Sequence, residues 1–447
     1  MDKTEARYAE IARIMAETND WIVPQIDYGV PFWGKPPLST WLSAGSFRLF
    51  GVNEFTARLP YFLLSVLMVL MLGKYARRNQ LSFWLPALVA CTLPEFFLHA
   101  GVVSTDTALA FGVTLVMLSF WETVTGNRHW YWKYLFFVGI GIGLLAKGPI
   151  VVILTFPPLF VWVWMNTYFK RVGVLFPWFS GGAIVTIMVL PWYYFAEKQS
   201  PGFLDYFLFG EHFKRFFDTN WKGDRYGFPK SQPLGMIWVF LVVFALPWIP
   251  MVLAKVIKNR ATLKNNPWVT FLLLWVVWTP LFFSFSKSLI HPYIMPIMTP
   301  LALLLVFWWK DLKFKKAALI LAAVIPVLAC LVFGYAKISN RLEFYANTDK
   351  YLVIGTQDTA ALFHFGTTSY SGQFYSKGRL KAMELNALKA HINGKKEFAI
   401  IIKNRDLSKI PKTVIKQLSP IEFNNTKMVY RFPGNDNASL KGTVDKD

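Results

Sequence analysis

The chain has 447 residues, of which 54% are hydrophobic and only 16% are charged, whereas soluble domains carry about 25% charged residues. Its formal net charge of +21 does not indicate nucleic-acid binding, because many basic residues lie in short connections between long apolar runs, as membrane topology requires. The two cysteines, Cys91 and Cys330, fall within apolar runs and exclude a disulfide framework. We therefore predict a polytopic α-helical membrane protein.

Ten apolar segments are predicted to span the membrane. Alternate connections are rich in Lys and Arg, as at 74–78, 255–264 and 310–316, which places these connections in the cytoplasm by the positive-inside rule. The N-terminal segment, the loop at 197–233 and the C-terminal region then share the outer face. The predicted spans are 59–76, 81–98, 106–123, 132–146, 149–166, 176–195, 234–254, 267–284, 293–309 and 317–334.

Three regions follow from this pattern: an outer-face loop with juxtamembrane helices at 1–58, a transmembrane domain at 59–336, and an α/β domain at 337–447. Residues 38–50 are too short to span and predict an interfacial amphipathic helix. An outer N-terminal stretch needs a preceding span, so we expect a transmembrane helix ahead of Met1. In the last region, apolar runs at 351–356, 398–402 and 428–432 predict strands, and 380–392 predicts a helix.

The first predicted element is an amphipathic helix over residues 5–15, with Tyr8 on its apolar face. Asp2 and Glu5 are three residues apart near its start. The spacing fits a helix cap, in which Asp2 satisfies free backbone N–H groups. It fits equally a general base that removes a proton from an acceptor hydroxyl. Both interpretations stay open at this stage.

Single charged residues recur where predicted spans meet the outer face. Lys35 lies between Gly34 and Pro36 in a rigid turn, where a fixed ammonium suits a phosphate. Asp106 opens the third predicted span, either as a helix cap or as a functional carboxylate. Lys147 stands alone at a helix break and is predicted to pair with a lipid phosphate or with Asp106.

The glycines before Lys147, in GIGIGLLAKGP (139–149), do not fit the pattern of a phosphate-binding loop. They are predicted to permit close helix packing.

The 197–233 loop is long, basic and aromatic, and long ordered loops are usually functional. Within it, His212 and Arg215 are three residues apart. A metal at His212 is conceivable, but no matching ligand cluster is evident in the sequence. Lys287 and Tyr293 lie in a tight outer turn at 285–292 and just after it, where basic and aromatic groups suit a phosphate-bearing lipid or a sugar.

These stretches resemble the GT-C superfamily of membrane glycosyltransferases, in particular bacterial relatives of protein O-mannosyltransferases and the lipid A aminoarabinose transferase. The stretches that carry the resemblance are TEARYAEIARIM, GKPPL, FGVNEFTARLP, TDTALAF, LLAKGP, PGFLDYFLFGEHFKRF and SKSLIHPYIMP. They occur in the family's order up to about residue 300, and residues 337–447 carry no comparable signature. The resemblance implies a GT-C-like fold with outer-face juxtamembrane helices.

The resemblance also implies an inverting transfer of a monosaccharide from a polyprenyl-phosphate donor, at the periplasmic side of the bacterial inner membrane. The acceptor is a lipid such as lipid A, a glycan or a protein, with membrane lipids as further partners. No cofactor is certain, and a divalent metal is possible. A transporter or flippase of a lipid-linked sugar is the alternative function.

The family often has an adjacent Asp-Glu pair in its first outer loop. This chain differs, because Thr4 precedes Glu5. The base is therefore Asp2 or Glu5. The remaining roles that the resemblance implies are catalysis by Asp106, donor-phosphate binding by Arg7, Lys35, Lys147 and Arg215, and substrate binding by Tyr8, His212, Lys287 and Tyr293.

Overall fold

A computed structural model of the protein describes residues 1, 3–126, 129–218, 221, 223–226, 231–263, 265–339, 348–356, 359 and 361–434, with the backbone alone at 3, 262 and 325. The chain divides into two compact units. The larger unit is Ile14–Val327, and the smaller combines Met1–Arg13 with Leu328–Asp447. Residue 2 lies outside the described residues. The predicted division into 1–58, 59–336 and 337–447 stays a prediction.

Up to the start of the C-terminal region the described residues are almost entirely helical. The α-helices are Lys3–Thr18, Leu38–Phe50, Glu54–Arg78, Leu85–Cys91, Pro94–His99, Thr105–Val124, Tyr131–Lys147, Ile150–Met165, Phe169–Leu175, Trp178–Gln199, Phe203–Asp205, Arg215–Phe217, Met236–Phe244, Ile249–Lys258, Arg260–Leu263, Pro267–Phe283, Met295–Trp308 and Lys315–Ile338. A π-helix forms at Tyr206–Lys214, 3₁₀ turns form at His291–Ile294 and Trp309–Asp311, and a two-stranded ribbon pairs Gln25–Asp27 with Val30–Pro31. The helices predicted at 5–15 and 38–50 are confirmed.

Five helical segments among the described residues are long and apolar enough to cross a membrane: Glu54–Arg78, Thr105–Val124, Trp178–Gln199, His291–Asp311 and Lys315–Ile338. A sixth results if the bent pair Met236–Phe244 and Ile249–Lys258 is one span. Shorter apolar helices occur at Ile150–Met165 and Pro267–Phe283. The chain is a multi-pass membrane protein, and the number of ten spans stays a prediction.

Two predicted spans are not continuous helices. The segment at 81–98 is broken after Cys91, where Pro94 starts a second short helix because proline cannot donate the N–H that would continue the first. The segment at 234–254 bends by 104° between Phe244 and Ile249, a break that contains Pro247. Proline therefore decides both differences.

Helix Thr105–Val124 is the centre of the larger unit, with nearly all its side chains buried. It packs closely on Tyr131–Lys147, since a Cβ atom at Gly112 would lie 3.0 Å from the Gly143 nitrogen and 3.1 Å from the Gly139 carbonyl oxygen. The prediction that the glycines of 139–149 permit close helix packing is confirmed. This contact aligns Asp106, in the first turn of one helix, with Lys147, at the end of the other.

The opposite end of the same helix holds a buried carboxylate. Glu122 is fully buried and pairs with Lys74 at 2.9 Å and with Arg78 at 2.6 Å. Both cations are partly exposed, so they stabilise the buried charge from the edge of the bundle. Charge pairing thus links Glu54–Arg78 to the central helix.

The smaller unit contains a five-stranded mixed sheet, as the predicted α/β domain requires. Its strand order is Leu380–Met383, Leu362–Phe365, Phe398–Lys403, Lys427–Phe432 and Ser419–Phe423, of which the first three are parallel. The strand Phe398–Lys403 is buried on both faces, which explains its uninterrupted apolar run. Helices and turns accompany the sheet at Lys350–Ile354, Tyr370–Tyr375, Leu385–Asn393, Asn404–Lys409 and Lys412–Ile415.

The strands predicted at 398–402 and 428–432 are confirmed, and two other predictions here are wrong. The run at 351–356 belongs largely to the helix Lys350–Ile354, because a short apolar run does not by its period distinguish helix from strand. The predicted helix at 380–392 begins only at Leu385. Its first four residues form a strand because they pair in parallel with Leu362–Phe365.

Candidate active site

The larger unit contains a cavity with one charged and one apolar side. Its volume is about 210 Å³. The polar lining comes from Lys35, Lys147, Glu211, His212, Arg215, Ser286, Ser288 and Tyr293. The apolar lining comes from Ile150, Ile153, Phe213, Phe216, Phe217, Phe282 and Phe283. Three cations against one carboxylate, beside aromatic side chains, suit a ligand with an anionic head and an apolar tail.

Glu211 organises the charged side of the cavity. Its side chain is 3% exposed, and its carboxylate accepts hydrogen bonds from Lys35 Nζ at 2.8 Å and from the Arg215 guanidinium at 3.0 and 3.2 Å. Burial alone would raise the pKa of Glu211, but the charges and hydrogen bonds of Lys35 and Arg215 lower it to about 2. Burial opposes the charge of Arg215, yet Glu211 raises the pKa of that guanidinium above its usual range. Glu211 and Arg215 therefore each stabilise the charged form of the other.

The sequence interpretation did not select Glu211. Its signal was present, because Glu211 and Arg215 are four residues apart and so lie on one helical face. The π-helix Tyr206–Lys214 that presents Glu211 is a rare conformation, often found at functional sites.

Lys35 is held by contacts between the N-terminal loop and the long loop at 197–233. The Trp33 backbone N–H donates to Tyr226 Oη at 2.9 Å, and that hydroxyl in turn donates to the Pro31 carbonyl at 3.1 Å. Trp33 Nε1 donates to Ser200 Oγ at 2.7 Å, and the Arg225 guanidinium lies 4.2 Å from the Trp33 ring centre. These bonds fix the turn that carries Lys35.

Asp106 and Lys147 form a partly buried ion pair, and Asp106 is one of the two partners that the sequence offered for Lys147. Ser104 caps the helix by accepting from the Asp106 backbone N–H at 3.0 Å, and its hydroxyl lies 3.1 Å from Asp106 Oδ2. Lys147 Nζ also lies 4.2 Å above the Tyr293 ring. Gly148, with a φ of 79°, lets the chain turn directly after Lys147. Asp106 thus orients a cation that lines the cavity.

His212 contacts backbone rather than other ligand-type side chains. Its Nδ1 lies 2.8 Å from the Phe207 carbonyl oxygen and its Nε2 lies 3.2 Å from the Lys147 carbonyl oxygen. Burial is the largest cause that lowers the pKa of His212. Within the described part of the chain, a group of metal-ligating side chains forms instead at Glu95, His99 and His291.

The other predicted site residues do not line the cavity. Lys287 is exposed, and only its backbone carbonyl is engaged, accepting from the Gln232 N–H at 2.8 Å. Glu5, Arg7 and Tyr8 belong to the smaller unit, where Glu5 is 4% exposed and the Arg7 guanidinium lies 5.3 Å from the Tyr8 ring centre. Asp2 lies outside the described residues, so its roles as cap or base stay predictions.

Comparison with known proteins supports the resemblance. Residues 1–207 match the family model of dolichyl-phosphate-mannose-protein mannosyltransferases. The undecaprenyl phosphate-α-4-amino-4-deoxy-L-arabinose arabinosyl transferase of Yersinia enterocolitica is 26% identical over 370 residues, which are 79% of this chain and 64% of the relative. The transferase of the same name from Wigglesworthia glossinidia brevipalpis is 26% identical over 335 residues, 72% of this chain and 58% of the relative. The chain thus spans less than two thirds of both relatives.

The fold is that of solved ArnT structures. The crystal structure of ArnT from Cupriavidus metallidurans bound to undecaprenyl phosphate matches with a TM-score of 0.74 at 16% identity, covering 96% of this chain and 94% of that chain. The apo structure of the same protein matches with a TM-score of 0.72 and covers 96% of this chain and 93% of that chain. The predicted GT-C-like fold and the predicted resemblance are both confirmed.

Proposed function

We propose that this chain, which has the GT-C-like fold of ArnT, transfers a monosaccharide from a polyprenyl-phosphate donor to an acceptor at the outer face of the bacterial inner membrane. The observation that carries the proposal is the cavity in which Lys35, Lys147 and Arg215 face a wall of phenylalanines. The relatives named for an undecaprenyl-phosphate sugar support a donor of that class. The acceptor is lipid A, another glycan or a protein.

The cations serve the leaving group. When the bond between the sugar and the donor phosphate breaks, negative charge grows on the departing phosphate. Preorganised cations in a site sheltered from water stabilise such charge strongly. Glu211 fixes two of them, and Asp106 and Tyr293 fix Lys147. The polyprenyl tail lies against Phe216, Phe282 and their neighbours.

The acceptor needs a base, and this role falls to a carboxylate of the first outer loop, Asp2 or Glu5. Removal of the acceptor proton and direct displacement at the anomeric carbon invert its configuration. Arg7 is the fourth proposed ligand of the donor phosphate. Tyr8, His212, Lys287 and Tyr293 contribute to substrate binding. Asp106 acts through Lys147, as a positioning residue.

The purified full chain in lipid nanodiscs tests the proposal. It is incubated with synthetic undecaprenyl-phosphate aminoarabinose and lipid A, and the products are identified by mass spectrometry. We expect a glycosylated acceptor and free undecaprenyl phosphate, with inverted anomeric configuration by NMR. In a parallel measurement on sealed proteoliposomes, donor that moves between leaflets without being consumed would favour the transporter alternative and contradict the proposal.

Three variants assign the carboxylates: Asp2→Asn, Glu5→Gln and Asp106→Asn. The base variant should lower kcat by at least about 100-fold, the lower end of the general-base contribution. Full activity in both Asp2→Asn and Glu5→Gln would remove the first outer loop from the chemistry.

A further inference from the structure

Three ligand-type side chains converge in the larger unit outside the lining of the cavity. Glu95 and His99 are one turn apart on the short helix Pro94–His99. His291 opens the 3₁₀ turn His291–Ile294. One ligand atom from each of the three residues lies within 4.8 Å of the others. Segments almost two hundred residues apart in sequence thus place two imidazoles on one carboxylate.

Each imidazole meets a different oxygen of the same buried carboxylate. Glu95 is fully buried. His99 Nδ1 lies 2.9 Å from Glu95 Oε1, and His291 Nδ1 lies 3.0 Å from Glu95 Oε2. The two ring centres are 5.0 Å apart. A donor set of two nitrogens and one carboxylate is therefore assembled before any ligand binds.

The contact with His99 is short but poorly directed for a hydrogen bond. Glu95 Oε1 is a buried oxygen without a partner of hydrogen-bond geometry, although a ring nitrogen lies 2.9 Å away. Donor atoms around a tetrahedral Zn²⁺ lie about 3.3 Å apart when the metal–ligand bonds are about 2.0 Å. The two nitrogen-to-oxygen separations, 2.9 and 3.0 Å, are slightly shorter than this value, and the three ligand atoms all lie within 4.8 Å of one another, so small side-chain shifts would place them around one ion.

We propose that Glu95, His99 and His291 bind a divalent transition-metal ion, and that Zn²⁺ is the preferred ion. Two imidazoles and one carboxylate form a known zinc donor set with a free fourth position. Imidazole also disfavours Mg²⁺ and Ca²⁺, which select oxygen ligands. The His291 side chain is 37% exposed, which leaves a route for the ion and for a water at the fourth position.

One ring contact and one backbone hydrogen bond hold the segments that carry the two histidines. The His291 ring stacks on Phe244 with centres 4.4 Å apart and an interplanar angle of 6°. The His99 carbonyl accepts from Thr107 Oγ1 at 3.1 Å. Thr107 follows Asp106, and His291 is two residues before Tyr293. The ion would therefore link the two segments that hold Lys147 at the cavity.

Metal binding to the purified full chain, with its purification tag removed, tests this inference. The protein is stripped with a chelator and titrated with Zn²⁺ alone, then with Co²⁺, whose visible spectrum reports coordination number. We expect one tightly bound Zn²⁺ per chain and the spectrum of a four- or five-coordinate cobalt site. Absence of Zn²⁺ binding, or an octahedral cobalt spectrum, would overturn the proposal.

Variants locate the ion. Loss of a residue that only supports a metal ligand weakens metal binding by about 10- to 100-fold. His291→Gln and His99→Gln each remove a ligand, so each should weaken Zn²⁺ binding by more than that. His391→Gln, at a half-buried histidine of the smaller unit, is the matched control and should bind normally. Because His291 is partly exposed, its substitution tests the site even where Glu95→Gln fails to fold.

A thiolate supplies a positive test at the same position. His291→Cys should recover cobalt binding and add a sulfur-to-cobalt absorption band. Equal Zn²⁺ affinity in wild type, His99→Gln and His291→Gln would refute the site. These measurements need no sugar transfer, so their outcome is independent of the proposed transferase function.

Discussion

Replacing Arg215 by methionine is the most direct test of phosphate binding in the cavity. The substitution keeps a long apolar side chain and removes the guanidinium. Glu211 stays bound to Lys35 at 2.8 Å, so the remaining charge network keeps an anchor. A hydrogen bond to a charged group contributes about 1.5–3 kcal/mol, which corresponds to binding that is about 10- to 150-fold weaker. We expect Arg215→Met to weaken polyprenyl-phosphate binding by that factor.

The assay compares two ligands that differ only in the head group. Binding of undecaprenyl phosphate and of neutral undecaprenol is measured for wild type and variant in the same detergent. Arg215→Met should lose affinity for the phosphate and keep its affinity for the alcohol. The matched control is Lys214→Met, because Lys214 is the adjacent cation and is exposed. Wild-type phosphate affinity in Arg215→Met, or equal losses for both ligands, would refute the assignment of Arg215 to the head group.

Three further predictions concern stability, each measured by thermal unfolding in detergent. Replacing both Lys74 and Arg78 by methionine takes two cations from the buried carboxylate of Glu122 and should lower the free energy of unfolding by about 3 kcal/mol. Glu122→Gln should lower it less, because this change releases two partly exposed cations to water. A larger loss in Glu122→Gln than in the double variant would contradict this reasoning. The pKa of Glu211 is about 2 when folded, below the ordinary value of about 4.3. At pH values above about 4.3, ionised Glu211 therefore contributes about 3 kcal/mol to the free energy of unfolding, and this contribution is lost as the pH falls towards 2. Glu211→Gln should lack this part of the pH dependence of stability. Identical stability-against-pH profiles for the two proteins would contradict the prediction. Gly148→Ala should cost about 1–3 kcal/mol, since φ is positive and the new Cβ would lie 2.6 Å from Phe207; an unchanged melting temperature would refute the strain.

The proposed metal site would make the position of Lys147 depend on a bound ion. Lys147 is held by Asp106 and Tyr293, and these residues lie close in sequence to Thr107 and His291. A metal ion at Glu95, His99 and His291 would fix the segments that position Lys147 without contacting the donor. Loss of the ion is therefore expected to weaken donor binding even though no residue that lines the cavity has been substituted.

The sequence was sufficient for the membrane class and most helices, and it singled out three cations that line the cavity. Lys35, Lys147 and Arg215 stand out because isolated cations are costly at the edges of apolar segments. Asp106 was one of the two partners predicted for Lys147, and the structure confirms this ion pair. Local patterns predicted these features because charge and period are properties of short stretches.

The sequence failed where short stretches are ambiguous. The strand Leu380–Met383 was predicted as helix, since only its pairing with Leu362–Phe365 decides its conformation. Glu211 was passed over because a glutamate in a basic loop is ordinary until its burial is known. Lys287 stays a predicted substrate-binding residue; its side chain is exposed and does not line the cavity.

Composition, period and charge sorting by themselves determined that this is a multi-pass membrane protein, and they predicted that its site residues share one face of the membrane. Tertiary structure alone decided which of those residues meet. It joined Lys35 to Glu211 across 176 positions and His291 to Glu95 across 196 positions. The physical reason is that burial and Coulomb energy depend on distances in space, and helix packing sets those distances independently of separation along the chain.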